Sequence, residues 1–322
     1  MKIVVLERAI VGMDIDTTPF SEFGEVTEYD NTSYEQIGER IRDAEIVIMN
    51  KSRLDASVLG RASKLRMICE FATGYDNIDI AYCRAHGIAV ANVSGYSTKS
   101  VAQHTLALYF YLAEHLRHYD DYVKKGAYSA QPYFACFDEV FHEATALTWG
   151  IAGLGNIGRS VAQAVSALGF KVVYYSTTGK HADETYEQVD FERLLSDSDV
   201  ISVHCPLNER TNHLFDETAL RRMKKSAILI NVARGGVVDN AALASALMHD
   251  EIAAAGLDVV EGEPIALSNP LMQVQDSNKL LITPHMAWGS VEARTRLVSE
   301  TCLNIKAFIN GDSRNRVDLI HS

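Results

Sequence analysis

Apolar positions along this chain switch between two spacings. Short, largely apolar runs at Lys2–Leu6, Glu45–Met49, Arg66–Cys69 and Ile88–Val90 read as strands, and Ser33–Arg42 and Asp79–His86 carry apolar residues at helical spacing between them. Strand and helix in alternation is the pattern of parallel βα units, so the fold class is α/β. From Thr98 to Lys125 the chain lacks Gly and Pro, and Val101, Thr105, Leu108, Leu112 and Leu116 lie on one face of a helix, which predicts one long helix. Gly126–Glu143 keeps neither period and is rich in aromatics (Tyr128, Tyr133, Phe134, Phe137, Phe141).

A second series follows. Strands are expected at Leu147–Ala152, Lys171–Tyr175, Val200–His204, Ala227–Asn231, Ile252–Leu257 and Leu280–Ile282, with helices at Ile157–Leu168, Phe191–Ser196 and Asn240–Met248. Six strands with helices between them predict a doubly wound sheet. The last helix, Ser290–Asn310, has the length to pack back onto the first unit. The expectation is therefore two Rossmann-like doubly wound domains, one of them discontinuous: residues 1–98 with 288–322, and residues 99–287 as the insert. A chain of 322 residues suits two cores better than one.

Composition narrows the class of partner. Lys+Arg 30 against Asp+Glu 42 gives a net charge of −12, the wrong sign for gathering nucleic acid or anionic lipid. The apolar start at Met1–Leu6 is too short for a signal-peptide core, and no apolar run approaches the ~20 residues of a membrane span. Five scattered cysteines without a CxxC pair argue against a disulfide framework or a metal knuckle, so a cytoplasmic enzyme without metal is expected.

Chemistry enters at Gly153-Leu154-Gly155-Asn156-Ile157-Gly158, which follows a strand and opens a helix. In that context the first glycine permits a tight turn, the second lets the backbone approach a pyrophosphate, and the third lets helix lie on strand, so the loop predicts a dinucleotide site. The carboxylate expected at the end of the next strand to hold a ribose 2′-hydroxyl is missing, and Ser176 and Thr177 stand there with Thr178 and Lys180 beyond. NAD is the expected cofactor, with NADP as the open alternative.

Three further strand ends carry polar groups: Asn231–Gly236 with Arg234, Gly256–Pro264 with Glu263, and Leu281–His285 with His285. Ligands of a doubly wound sheet sit beyond the carboxyl ends of its strands, so these segments converge beside the glycine loop. Reduction of a carbonyl by nicotinamide needs a hydride and a proton on the carbonyl oxygen. His285 suits the proton donor. Glu263 would orient it and favour imidazolium, and Arg234 would hold a carboxylate by planar, charge-assisted hydrogen bonds.

With Gly74-Tyr75-Asp76-Asn77-Ile78-Asp79, His204-Cys205-Pro206-Leu207 and Thr283-Pro284-His285 added to these motifs, nearly the whole chain resembles the D-isomer-specific 2-hydroxyacid dehydrogenase family. Asn50-Lys51, Gly95-Tyr96-Ser97-Thr98 with Ser100–Gln103, and His285-Met286-Ala287-Trp288 look most like its glycerate dehydrogenase (hydroxypyruvate reductase) branch. The resemblance implies a substrate domain and a dinucleotide-binding domain, with the site in the cleft between them. It implies a substrate-carboxylate clamp from the peptide N–H groups of Thr73 and Gly74, and coenzyme contacts at Pro206, Thr211, Val232 and Ala233 with Asp258 on the nicotinamide side. It also implies a homodimer, expected through the aromatic stretch. Lys51 and Trp288 are further candidates for the substrate pocket. Two rivals stand beside this reading: an NAD(H)-binding regulatory protein of the same fold, and formate oxidation, whose enzymes pair Gln rather than Glu with the histidine.

Overall fold

The computed structural model describes residues 1–179, 183 and 185–319. The chain forms two compact units, Met1–Ser97 with Gly289–Ser322, and Thr98–Trp288.

Unit 1 is a five-stranded parallel sheet made of β1 (Lys2–Val5), β2 (Glu25–Glu28), β3 (Ile46–Met49), β4 (Met67–Glu70) and β5 (Ala89–Ala91), in the order β2-β1-β3-β4-β5. Strand β2 is absent from the sequence expectation because it is an edge strand whose only apolar residue is Val26, so it has no apolar period to read. Helix Tyr34–Arg40 begins at a capping box, Ser33 with Gln36, and helix Ile80–Ala85 begins at Asp79, which accepts from Tyr82 N. The closing helix Val291–Ile309 is capped by Ser290 and packs on this unit, where Asn304 Nδ2 donates to Asn92 O at 3.0 Å.

The described residues of unit 2 hold seven parallel strands: β6 (Thr148–Ala152), β7 (Lys171–Tyr175), β8 (Glu187–Gln188), β9 (Val200–Val203), β10 (Ile228–Asn231), β11 (Ala254–Leu257) and β12 (Leu280–Ile282). Their order is β12-β11-β10-β9-β6-β7-β8, so the winding reverses between β6 and β9. The seventh strand, β8, is two exposed residues at an edge, again without a period to read. Trp149 sits at the centre of one core layer, edge-on to Tyr109 and Phe170 with ring centroids 4.9 and 5.2 Å away, and its indole N–H reaches Ser202 Oγ at 2.8 Å.

The single long helix expected from Thr98 to Lys125 is two helices. Thr98–Ala113 buries Val101, Thr105, Leu108 and Leu112, and His115 then takes a left-handed φ of +48°. The following helix, Leu116–Lys124, buries nothing, and Leu116 faces solvent. It is stitched instead by pairs one turn apart, such as Lys124–Asp120 at 2.7 Å. A left-handed residue turns the chain off the core, a conformation that the run of helix formers does not announce.

Candidate active site

Every strand-end segment singled out in the second half of the sequence belongs to unit 2 and leaves the carboxyl end of a parallel strand there. The glycine loop follows β6. A Cβ on Gly153, whose φ is +99°, would lie 2.8 Å from Cys205 N, and one on Gly158 would lie 2.3 Å from Gly153 O. Gly155 differs, since its Cβ position opens onto free space, with nothing but the adjoining backbone of its own turn and helix nearby among the described residues. Turn, open approach and close packing thus fall to the three glycines in the order a pyrophosphate site requires. Helix Asn156–Ala167 starts at Gly155 without a side-chain cap, which leaves its first N–H groups to an anion.

Ser176 lies beside this loop, because Tyr175 O accepts from Gly153 N at 2.9 Å. Its hydroxyl accepts from Gly179 N at 2.9 Å, closing a turn that includes Thr177. Lys180 lies outside the described residues. Arg159, one turn into the helix, spends its charge on Asp183. The segment after β9 brings Pro206 to the same edge of the sheet. Thr211 is fully buried, and its hydroxyl donates to Pro206 O at 2.6 Å and accepts from Asn208 N at 2.8 Å, so it shapes that turn rather than presenting a free group.

After β10, Asn231 is fully buried and uses its side chain to build the next turn: Oδ1 accepts from Ala233 N and Nδ2 donates to Arg234 O, both at 3.0 Å. Val232 and Ala233 pack into the cores below, and Arg234 emerges into solvent with Nη1 on Ala233 O at 2.8 Å. The next residue must be glycine: a Cβ on Gly235 would lie 2.0 Å from Val260 C and O. That contact joins the Arg234 turn to the loop after β11 that bears Glu263.

Glu263 Oε1 accepts from Val260 N at 3.2 Å, and its Oε2 stands 2.5 Å from His285 Nδ1, with the two side chains 29% and 27% exposed. Nε2 of His285 has no hydrogen-bond partner among the described residues. His285 adopts φ +52°, and its N–H donates to Asp258 O at 2.9 Å. Trp288 closes the turn by donating Nε1–H to His285 O at 3.0 Å.

Asp258, expected on the nicotinamide side, is 2% exposed and turned inward. Oδ1 accepts from Thr283 Oγ1 at 2.7 Å and Met286 N at 2.8 Å, and Oδ2 from Ala287 N at 2.9 Å. A carboxylate that gathers so many donors fixes the loop bearing His285. His104 adds to this support with Nε2 on Thr283 Oγ1 at 2.9 Å. The sequence reading missed it, although it directly follows the quoted Ser100–Gln103 segment.

The other histidines at this edge have different states. Burial pushes His204 down to about 3, and its Nε2 meets Ser202 Oγ at 2.9 Å, so it is neutral and no proton donor at physiological pH. His213 pairs with Glu261 at 2.6 Å, which holds its pKa up, and its own N–H donates to Gly236 O at 2.8 Å. This second histidine–glutamate pair also went unread, though Glu261 alternates with Glu263 along one loop. It braces that loop from the side of the Arg234 turn.

The first-half candidates lie in unit 1. Lys51 is exposed, and its backbone N–H donates to Glu7. Thr73 and Gly74 follow β4 in a loop held by Asn92 Nδ2 on Thr73 O at 2.6 Å and Thr73 Oγ1 on Val93 O at 3.0 Å. Their own peptide N–H groups donate to no protein acceptor among the described residues. No cluster of three or more His, Cys, Asp or Glu able to hold a metal occurs among those residues. None of their helices is long and apolar enough to cross a membrane.

Residues 106–287 match the NAD binding domain of D-isomer specific 2-hydroxyacid dehydrogenases. The chain is 37% identical over 318 residues to a glycerate dehydrogenase of Methylorubrum extorquens, an alignment that covers 98% of this chain and 99% of that one. It is 35% identical over 324 residues to a hydroxypyruvate reductase of Blautia hydrogenotrophica, covering 99% and 100%. Among solved structures, the D-lactate dehydrogenase of Aquifex aeolicus in complex with NAD and lactic acid matches at a TM-score of 0.86 and 28% identity over the whole of both chains. By the family model over more than half of its length and by these full-length relatives, the chain belongs to the D-isomer specific 2-hydroxyacid dehydrogenase family of NAD-binding oxidoreductases.

Proposed function

We propose that the protein interconverts a small D-2-hydroxy acid and its 2-keto acid, with D-glycerate and hydroxypyruvate, or glyoxylate, as the substrates. The observation that carries this reading is the 2.5 Å Glu263–His285 pair, joined through the Gly235–Val260 contact to the turn that presents Arg234. When bound, the nicotinamide supplies the hydride in reduction and takes it back in oxidation. His285 Nε2 gives the proton to the substrate's carbonyl oxygen in reduction and removes it from the hydroxyl in oxidation, while Glu263 holds Nδ1 and so aims Nε2. Arg234 binds the substrate carboxylate and polarises the carbonyl, and the peptide N–H groups of Thr73 and Gly74 complete the clamp. Unit 1 is then the substrate domain and unit 2 the coenzyme domain. Lys51 and Trp288 belong to the substrate pocket in this reading. Turnover of hydroxypyruvate and glyoxylate with NADH and NADPH tests it, and failure of both acids with both coenzymes would overturn the assignment of substrate.

The glycine loop cradles the pyrophosphate of NAD, with Asn156, Ile157, Pro206, Val232 and Ala233 around the coenzyme and Ser176 and Thr177 at the ribose. Placing a carboxylate at this strand end by Ser176→Asp should penalise NADPH far more than NADH, because it repels a 2′-phosphate but accepts from a 2′-hydroxyl. Coenzyme-resolved kcat/KM checks this. An equal response of both coenzymes would mean that Ser176 does not face the 2′ position.

The protein also acts as a homodimer in this reading, through the stretch Gly126–Glu143. Phe134 and Phe137 there are 92% and 83% exposed, an apolar surface that a second copy would cover. Sedimentation equilibrium at micromolar concentration should return twice the chain mass of 35.6 kDa, and a monomer would refute the assignment. The five cysteines are all unpaired, in keeping with a cytoplasmic setting.

A further inference from the structure

Unit 1 buries a carboxyl group that the proposed chemistry does not use. Glu70 ends β4 at 0% exposure. Its Oε2 has one donor, Asn77 Nδ2 at 3.5 Å, and its Oε1 has no hydrogen-bond partner among the described residues. The loops after β3 and β4 are laced together around it by side-chain amides. Asn50 Nδ2 donates to Phe71 O at 2.6 Å, and Asn77 Nδ2 donates to Asn50 O at 2.8 Å and Ser52 O at 3.1 Å.

A second carboxyl group, Glu7, serves the same loops from the end of β1. It accepts from Asn50 N at 2.7 Å and from Lys51 N at 3.1 and 3.2 Å. The donors therefore lie almost entirely on one of the two acids. A charge on Glu7 is solvated by peptide N–H groups, whereas a charge on Glu70 would be stranded in the core. Four groups bear on Glu70 besides its burial: Glu7 after β1 and Asp76 after β4 resist its ionisation, and Lys51 after β3 and Asn77 after β4 favour it. Burial dominates, with Glu7 next, and together they push Glu70 well above the usual carboxylate range.

We propose that Glu70 is a positioning residue of the substrate-carboxylate clamp, kept as a neutral acid among the Asn50–Ser52 and Thr73–Asn77 loops so that an anionic substrate can bind at the N–H groups of Thr73 and Gly74. This rests on the reading of Thr73 and Gly74 as the clamp. Glu70 and Thr73 are three residues apart, at most about 10 Å of backbone at ~3.3 Å per residue, and the chain bends between them. A buried charge at that range is poorly screened and repels the arriving carboxylate. An ionised Glu70 would also draw the Asn77 amide toward itself and away from Asn50 O and Ser52 O, loosening the loop that presents the clamp.

Glu70→Gln keeps the shape and cannot ionise, so it separates the proposal from a merely structural role. The infrared spectrum of the parent at neutral pH should contain a protonated-carboxyl stretch that the variant lacks. With hydroxypyruvate as substrate, the parent's KM should rise more steeply on the alkaline side than the variant's, since any pH dependence of the proton-transfer step is common to both and only the parent can gain a charge at position 70. Stability gives a further sign. Glu70 is neutral when folded and ionised when unfolded between its usual value of 4.5 and its higher folded value, so the parent loses stability as pH rises through that window. The thermal midpoint of the variant should pull ahead of the parent's over the same range. Glu7→Gln should move the parent's KM rise to lower pH, and an unmoved rise would count against the proposal, a result readable even if Glu70→Gln does not fold. Identical infrared bands in parent and Glu70→Gln, or overlaid KM–pH profiles, would overturn it. A parent that turns over no 2-keto acid would remove the clamp reading and this proposal with it, while the infrared band would still report the protonation of Glu70.

Discussion

His285→Ala is expected to lower kcat by about 10²–10⁴, the range for a positioned acid–base group, while coenzyme affinity stays close to the parent's. The geometry gives this split. His285 sits on the loop after β12, whereas the glycine cradle follows β6, and three strands stand between them in the sheet. The imidazole is held at Nδ1 by Glu263 at 2.5 Å and through its backbone by Asp258 O at 2.9 Å, so the truncation removes the proton path and leaves the loop's other ties in place. Glu263→Gln keeps a hydrogen-bond acceptor for Nδ1 and removes the charge, and its loss of kcat should be smaller than that of His285→Ala. Steady-state kinetics with hydroxypyruvate, together with coenzyme titration by fluorescence, would check both. A His285→Ala enzyme with parental kcat would remove the proton-transfer role outright.

Arg234→Ala is expected to lower kcat/KM by about 10²–10⁴ as well, but with a different signature. Two charge-assisted hydrogen bonds at roughly 1.5–3 kcal/mol each would be lost, and every ~1.4 kcal/mol is a factor of ten. Because Arg234 holds the carboxylate already in the ground state and polarises the carbonyl most in the transition state, KM should rise sharply and kcat fall as well. Arg234→Lys keeps the charge and loses the planar fork, so it should recover only part of the loss. Arg234 is exposed and its guanidinium hydrogen-bonds only to Ala233 O among the described residues, so Arg234→Ala should leave thermal stability nearly unchanged. A large drop in the midpoint would show instead that Arg234 holds the turn.

Where a segment has to be apolar to be buried, or polar to do chemistry, the residues alone give its place. Strands β1, β3, β4 and β5 of unit 1 and six strands of unit 2 are largely apolar runs because a parallel sheet is covered on both faces. The glycine loop, Arg234, Glu263 and His285 each stand next to such a run, so their convergence at one sheet edge follows from the winding rule before any coordinates. The family resemblance read from these motifs agrees with the relatives that match over the whole chain.

Other features depend on distances between residues far apart in the chain. Edge strands β2 and β8 bury too little to carry a period. The break at His115 is a single left-handed residue inside a run of good helix formers. Asp258 has the composition of a ligand, and only the fold turns it inward against Thr283, Met286 and Ala287. Gly235 reads as one of two glycines in a motif until the Val260 backbone is found where its Cβ would be. The sequence likewise offers Glu7 and Glu70 as two ordinary acids. Tertiary structure gives the peptide N–H donors to Glu7 and leaves Glu70 buried almost without partners, because the charge state of a carboxyl group is set by the dipoles folded around it.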